Sequence, residues 1–219
     1  MLPKLIIFDT ETASLEKGVV EIAWLDLKDN ETLDILSEHC FRVNPECPIE
    51  PGAQAIHGIS DADVADCPTL EAVLSPLKDV PVYTIGHNVS FDLRMVKPHL
   101  NVVESCCTLE LSRQYIKGTT NHQLETLQKE LNLPVQTSHS ALGDVRTCRD
   151  LLLHIMQITG LDLETIFERA NMPKMLLKMP WGKHKGVPIA RVPKGYRAWL
   201  LGQEIDKNLR YTLEQVKNL

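Results

Sequence analysis

The stretch Lys4-Leu5-Ile6-Ile7-Phe8-Asp9-Thr10-Glu11-Thr12 runs four consecutive apolar residues into two carboxylates one residue apart. A continuous apolar run bounded by polar residues reads as a strand buried on both faces, and the period-two alternation of a strand puts Asp9 and Glu11 on one face at its end. Two carboxylates that close repel each other and lose solvation. They need a proton, a basic partner or a cation, unless they are simply surface acids on a solvated strand end.

Outward from this strand, Gly18 closes a turn and residues 19–27 have strand character; Asp29-Asn30 marks a second turn, and residues 32–43 supply a third strand. Residues 44–58 contain Pro45, Pro48, Pro51, Gly52 and Gly58 and read as a loop ending in Ala55-Ile56-His57-Gly58. Ser60 caps a short acidic turn and Thr69 a helix over 70–77. A buried strand over 80–85 ends in Gly86-His87-Asn88, and Ser90 caps a helix with Asp92 in its first turn, where the helix dipole favours a carboxylate. A strand follows at 102–106, then helices at 109–116, 122–131 and 141–158, the last with an apolar stripe of Leu142, Val145, Leu151, Leu152, Ile155 and Met156. Strands first, then strands alternating with helices, predict an α/β fold with a mixed sheet covered by helices.

The length of 219 residues suits one domain with a substantial core and a small appendage. No apolar run approaches the roughly 18 residues of a membrane span and no signal segment opens the chain, so the expectation is a soluble, cytoplasmic protein without a membrane partner. The six cysteines show no C-x-x-C spacing, which predicts free thiols in a reducing compartment. The net charge of −6 hides a division: residues 1–168 hold 26 acids and 12 Lys/Arg, whereas residues 169–219 hold 3 acids and 11 Lys/Arg. No acid occurs between Arg169 and Gln203. The chain therefore reads as an acidic body over 1–168 and a small basic module over 169–219 with a surface suited to phosphate.

Three pieces carry the chemistry: Asp9 and Glu11, Asp92, and His139 with Asp144. Five residues of helix rotate a side chain by about 500°, so His139 and Asp144 cannot share a helical face. His139 falls on the loop with Thr137-Ser138, and Asp144 in the first turns of the helix. Four converging carboxylates are untenable without cations, whereas two divalent ions about 3.5–4 Å apart neutralise them and clamp a phosphodiester for in-line attack. Oxygen ligands suit Mg²⁺, with Mn²⁺ as a substitute, and a neutral imidazole nearby can accept a proton from the attacking water.

Asp9-Thr10-Glu11-Thr12, His87-Asn88-Val89-Ser90-Phe91-Asp92 and His139-Ser140-Ala141-Leu142-Gly143-Asp144-Val145 occur in this order, and together they resemble the three motifs of the DEDD exonuclease superfamily in its His subtype, DEDDh. The resemblance covers about residues 4–158 and includes Ala55-Ile56-His57-Gly58-Ile59. It implies an RNase H-like fold around a mixed five-stranded sheet, and 3′→5′ hydrolysis that releases nucleoside 5′-monophosphates from DNA 3′ ends, in repair or recombination. Asp9, Glu11, Asp92 and Asp144 become ligands of two metals, with Asp9 bridging, and His139 becomes the general base. Thr12, His57, Asn88 and Phe91 would support the terminal nucleotide or the walls of its site.

The tail, through Met179-Pro180-Trp181-Gly182-Lys183-His184-Lys185-Gly186 and Gly195-Tyr196-Arg197-Ala198-Trp199-Leu200, resembles the exodeoxyribonuclease X branch, with Trp181 and His184 standing where that pattern has Phe and Tyr. Aromatics interleaved with cations make Trp181, Lys183, Lys185 and Arg197 candidate DNA contacts. The alternative is that Trp181, Tyr196 and Trp199 form a small core that lysines merely solvate. An RNA-directed exonuclease and a non-catalytic nucleic-acid-binding or tethering module are the competing functions; retention of all five catalytic positions argues against the second. Residues 160–219 read as structured throughout, without a linker to a polymerase-docking segment. Strand preference and a homodimer are left open.

Overall fold

The computed structural model describes residues 3–28, 31–137 and 139–216; the expected turn at Asp29-Asn30, Ser138 of the expected loop and the last three residues of the tail lie outside the described residues. Strands β1 (Lys4–Thr12), β2 (Val19–Leu27), β3 (Ile35–Arg42), β4 (Pro81–Gly86) and β5 (Asn101–Cys107) form one sheet in the order β3-β2-β1-β4-β5. The first three make an antiparallel meander, while β4 and β5 add to β1 in parallel. The predicted mixed sheet is present, and the Lys4–Thr12 strand lies at its centre.

That position explains the apolar run. Leu5 and Ile7 pack into a cluster on one face with Leu127, Val145, Leu151, Leu152, Ile155 and Ile166, and Ile6 and Phe8 into a cluster on the other face with Leu74, Val82 and Val96. A strand covered on both sides has no solvated face to make polar, so it loses the alternation of an outer strand. Among the described residues the α-helices that flank the sheet or follow it are α1 (Pro51–His57), α2 (Asp61–Val64), α3 (Leu70–Leu74), α4 (Ser90–Val96), α5 (Thr108–Tyr115), α6 (Leu124–Glu130), α7 (Ala141–Thr159), α8 (Leu163–Asn171), α9 (Lys194–Leu201) and α10 (Lys207–Gln215). In α7, Leu151, Leu152 and Ile155 are fully buried. Each such side chain contributes about 1.5–3 kcal/mol relative to exposure. The helix is thereby held firmly against β1 and β2, and its N-terminus is presented in a fixed place.

Three local expectations need correction. Residues 44–58 are not loop throughout, because α1 occupies 51–57, with Pro51 at its first turn and Gly58 (φ 74°) as its left-handed C-cap. Proline at the start and glycine just past the end are the ordinary signals of a helix. Ser90 is the first residue of α4 rather than its cap: Asn88 takes the left-handed turn (φ 65°) and Val89 is already helical, leaving no extended residue for Ser90 to be. The third strand is Ile35–Arg42, shorter at both ends than expected. By contrast, Ser60 and Asp63 form a capping box on α2, and Thr69 Oγ1 accepts the Ala72 N–H at the start of α3.

The chain divides into two compact units, residues 1–171 and 172–219. The division comes three residues later than the charge pattern suggested, since α8 packs on β5 and continues to Asn171. The second unit has an aliphatic core of Met179, Ile189, Val192, Leu200, Leu209, Leu213 and Val216. Its α10 is capped by Asp206, whose Oδ1 accepts the N–H groups of Asn208 (2.8 Å) and Leu209 (3.3 Å).

Candidate active site

The alternation of β1 divides its last residues between the two faces of the sheet. Asp9 and Glu11 meet the N-terminal turn of α7, and carboxylate oxygens of Asp9, Glu11 and Asp144 lie within 4.8 Å of one another. Thr10, between them, turns to α4 on the other face. Its N–H and its Oγ1 both donate to Asp92 Oδ1, at 3.1 and 2.6 Å. One strand therefore supplies two carboxylates and fastens a third, Asp92, which is only 3% exposed. A β-bulge follows Glu11, where the register with β2 skips a residue; bulges at such places re-aim side chains beside a site.

A fifth carboxylate went unnoticed in the sequence. Glu21 lies directly opposite Glu11 on β2 and opposite Arg42 on β3, so Glu11, Glu21 and Arg42 form a row across the sheet. Glu21 is buried, with Oε1 3.2 Å from Arg42 Nε and Oε2 accepting the backbone N–H of Ala141 at 2.9 Å. That N–H is one of the orphan donors of the first turn of α7, and Ser140 Oγ takes another, from Gly143. The sheet thus caps the helix that bears Asp144. The signal was present in the sequence as a single acid inside the apolar strand Val19–Leu27, which reads as a solvated edge residue unless the strand is known to be covered.

Gly143 and His139 belong to the same device. A Cβ on Gly143 would lie 1.8 Å from the carbonyl oxygen of Thr137, so only glycine lets the loop fold back over the first turn of α7. His139 sits on that loop in a left-handed conformation (φ 57°), exposed to solvent. The expected separation of His139 on the loop from Asp144 in the first helical turn is observed.

The electrostatics follow from crowding. Burial raises Asp9 well above the usual carboxylate range, and the charges of Asp92, Asp144, Glu11 and Glu21 add to this. Glu11 is raised to about 7, first by burial and then by Asp144, Glu21 and Asp92, against a smaller lowering by Arg42. Burial also raises Asp92 and Asp144 to about 6 each, opposed by the Thr10 bonds in the first case and by His139 in the second. Among the described residues no ion pair joins a Lys or Arg to Asp9, Glu11, Asp92 or Asp144. Oxygen donors of one sign, gathered and left without a cationic partner, fit a hard divalent cation.

The remaining site candidates are placed as follows. His57 Nδ1 accepts the Ile59 N–H (3.0 Å), so Nε2 carries the proton and donates to the Thr12 carbonyl (3.2 Å). Burial lowers the His57 pKa, and the ring braces the end of β1. His87 is similarly committed: Nε2 donates to the His122 carbonyl (2.8 Å), Nδ1 faces Thr108 Oγ1 (3.0 Å), and burial lowers its pKa to about 4. Neither ring is free to act as a base. Thr12 is buried and Asn88 exposed; Phe91 is half-buried, outside the core clusters, with the Arg94 guanidinium 5.1 Å from its ring centre. In the second unit Trp181, Lys183 and Lys185 are exposed. Arg197 is not a surface cation as expected but is 6% exposed, and its Nη1 donates to the Val216 carbonyl at 2.9 Å, which fastens the end of α10.

The family model of the RNase T type, described as exonuclease, matches residues 6–152, a span that contains Asp9, Glu11, Asp92, His139 and Asp144. Exodeoxyribonuclease 10 of Escherichia coli K12 is 34% identical over 218 residues, covering 95% of this chain and 96% of that one. Among solved structures, exonuclease X in complex with 5′-overhanging duplex DNA aligns with a TM-score of 0.65 and 35% identity, over 76% of this chain and 99% of that one. Escherichia coli exonuclease I in complex with a dT13 oligonucleotide, at 16% identity and a TM-score of 0.62 over 73% of this chain and 42% of that one, shares the fold. The match over most of the first unit, together with a relative aligned along nearly the whole chain, establishes that the protein belongs to the RNase T exonuclease family.

Proposed function

We propose that the chain is a metal-dependent 3′→5′ exodeoxyribonuclease that releases nucleoside 5′-monophosphates from DNA 3′ ends. The observation that carries the reading is the approach of Asp9, Glu11 and Asp144 to within 4.8 Å of one another with no Lys or Arg paired to them among the described residues, and with Asp92 fastened beside them by Thr10. The name of the exodeoxyribonuclease relative and the DNA in the related structures support DNA as the polymer.

Asp9, Glu11, Asp92 and Asp144 would hold two divalent cations, Mg²⁺ with Mn²⁺ as a substitute. When bound, such ions neutralise the carboxylates and the phosphate and lower the pKa of water. His139, exposed on its loop and close enough to Asp144 to influence its charge, takes the proton from the attacking water. The water oxygen bonds to phosphorus, the P–O3′ bond breaks, and the departing 3′-oxygen takes a proton from solvent, so that the shortened strand leaves with a free 3′-hydroxyl. Glu21 and Gly143 fix the helix start and the loop, so that Asp144 and His139 keep their mutual position. Thr12, Asn88 and Phe91 form walls for the terminal nucleotide, and His57 supports them by bracing Thr12.

The test is incubation of 5′-labelled single-stranded DNA, 5′-overhanging duplex DNA and RNA with enzyme and Mg²⁺. The expected result is a ladder shortening from the 3′ end of DNA with mononucleotide 5′-phosphates as product. Degradation of RNA with both DNAs left intact would make the chain an RNA-directed exonuclease instead.

A further inference from the structure

The second unit packs Tyr196 against its core but leaves its two tryptophans outside it. The seven buried members of that core are aliphatic or Met, whereas Trp181 and Trp199 are 42% and 54% exposed. Of the three residues expected as a small core, Trp181, Tyr196 and Trp199, only Tyr196 packs against the core, and both tryptophans stay exposed. The rings are ordered in a row: the His184 and Tyr196 ring centres are 4.7 Å apart edge to face, and those of Tyr196 and Trp199 are 5.4 Å apart. A tight turn holds one end of it. The Met179 N–H donates to the Val187 carbonyl (2.9 Å), the Gly186 N–H to the Met179 carbonyl (2.8 Å) and the Lys185 N–H to the Gly182 carbonyl (3.0 Å). Gly182 (φ 76°) lies so close beneath Tyr196 that a Cβ would come within 3.0 Å of the phenol oxygen. His184 and Gly182 of this hydrogen-bonded turn thus meet Tyr196 of α9, Trp181, Lys183 and Lys185 are exposed on the same turn, and Lys194 is exposed at the start of α9.

Leaving two tryptophans in water gives up burial free energy that the unit's own core could have gained, so the exposure is explained by a partner. The charge selects its kind. Residues 172–219 carry 10 Lys/Arg and 3 acids, none of the acids before Glu204, and among the described residues Lys183 and Lys185 take part in no ion pair. Flat rings beside uncompensated cations suit a polymer with exposed ring faces and a phosphate on every unit. In a duplex those faces are hidden in the stack, whereas a single strand offers them.

We infer that the second unit is a platform for single-stranded DNA, on which bases stack on Trp199 and Trp181 while Lys183, Lys185 and Lys194 neutralise the backbone. The inference rests on the exonuclease reading only for the identity of the polymer. Binding is therefore measured without catalysis, by fluorescence anisotropy of 5′-fluorescein oligo(dT) and of a blunt duplex of equal length with the full chain in EDTA. Under these conditions the uncompensated carboxylates of the first unit contribute repulsion rather than affinity.

Trp199→Ala and Trp181→Ala should each weaken oligo(dT) binding by about 5- to 150-fold and leave the salt slope alone, since stacking releases no counterions. The Lys183→Ala/Lys185→Ala double variant should flatten the slope of log K against log salt by about 1.4. Trp199→Phe, which keeps a ring, should recover most of the affinity and separates stacking from a disturbed fold. Binding to the duplex should be weaker than to the single strand. The inference is overturned if both Trp→Ala variants bind oligo(dT) within twofold of the wild type. It is equally overturned if those substitutions instead convert a dimer to a monomer in sedimentation, which would make the row an interface between copies of the chain. A chain that releases no nucleotide from DNA in Mg²⁺ but shows these binding changes would defeat the exonuclease reading and leave the platform standing.

Discussion

The two units depart from ordinary stability rules in opposite ways. Residues 1–171 bring Asp9, Glu11 and Asp144 together and bury Asp92 and Glu21 beside them, an arrangement of like charges that costs stability in the absence of a cation. Residues 172–219 put the buried cation Arg197 onto a backbone carbonyl and leave large aromatics in water. In the first unit the sacrifice is electrostatic and in the second it is hydrophobic. Real proteins break a local rule mainly where function needs it, so each departure marks the place where its unit works. The contrast makes a claim that mutation can break: changes in the first unit's cluster should remove activity without removing the fold.

The largest effect belongs to the carboxylates. Asp9→Ala, Asp92→Asn and Asp144→Asn should each lower hydrolysis by roughly 10³-fold or more, the equivalent of several kcal/mol of transition-state stabilisation. Circular dichroism should show an intact fold, and in EDTA the variants should melt no lower than the wild type, because each removes a charge from a repulsive group. Near-wild-type hydrolysis in all three would remove the two-metal assignment. Loss of fold together with activity would mean that the cluster is structural, and the contrast between the units would collapse.

Next in size is His139. His139→Ala should lower kcat by about 10²–10⁴-fold with little change in KM, the range of a positioned general base. No other histidine close to the motifs can replace it, because both nitrogens of His57 and both of His87 are already committed within the protein. An unaltered kcat would assign the base to a group other than His139.

These two groups of residues were legible in the sequence because their signals are local. Period two along β1 put Asp9 and Glu11 together, and the impossibility of a shared helical face put His139 on a loop. The strand at 19–27 and the helix start at Ala141 were equally plain, and the meander and the helical stripe of α7 between them gave the fold class. What was not legible depends on contacts between distant residues. Glu21 gains its meaning only from Ala141, 120 residues away, and from Arg42 across the next strand pair. Gly143 carries no sign in the sequence that a carbonyl from 137 will press against it. Arg197 looks like any other cation of a basic segment until the packing of α9 against α10 turns it inward. The helix α1 is a different kind of miss: Pro51 and Gly58 were read as loop markers although their positions fit the two ends of a helix.

Glu21 offers a smaller and more selective test. Its carboxylate holds the start of α7, so Glu21→Ala should lower kcat by about 10- to 100-fold, the usual cost of losing a group that orients a ligand rather than being one. Glu21→Gln keeps an oxygen that can accept the Ala141 N–H and should recover most of the rate. The metal concentration for half-maximal activity should rise in the Ala variant, since Asp144 is then less firmly placed. A Gln variant as impaired as the Ala variant would show that the charge of Glu21, and not its bond to the helix, is what the site requires.

The smallest effect concerns stability and sets the first unit's sacrifice against pH. Glu11 is raised to about 7 from 4.5, and Asp92 and Asp144 to about 6 from 3.8. A carboxylate whose folded pKa lies above its unfolded value keeps its proton in the folded state after the unfolded chain has lost it. Between about pH 4 and 7 the folded protein therefore binds more protons than the unfolded chain, and stability falls as pH rises through that window. The penalty is absent below the window and complete above it. A bound divalent cation neutralises the same groups, so Mg²⁺ should raise Tm more at pH 8 than at pH 5, where the site already holds protons in place of metal. With about 2–4 °C for each kcal/mol in a domain of this size, the difference should amount to several degrees in differential scanning fluorimetry. Asp92→Asn should flatten the decline of Tm with pH in EDTA, as one of the raised groups no longer titrates. A Tm in EDTA that is level or rising from pH 5 to 8, with a metal increment independent of pH, would show that the chain itself offsets these charges, for instance through Arg42. The first unit would then pay nothing for its site, and the opposition between the two units would rest on the second alone.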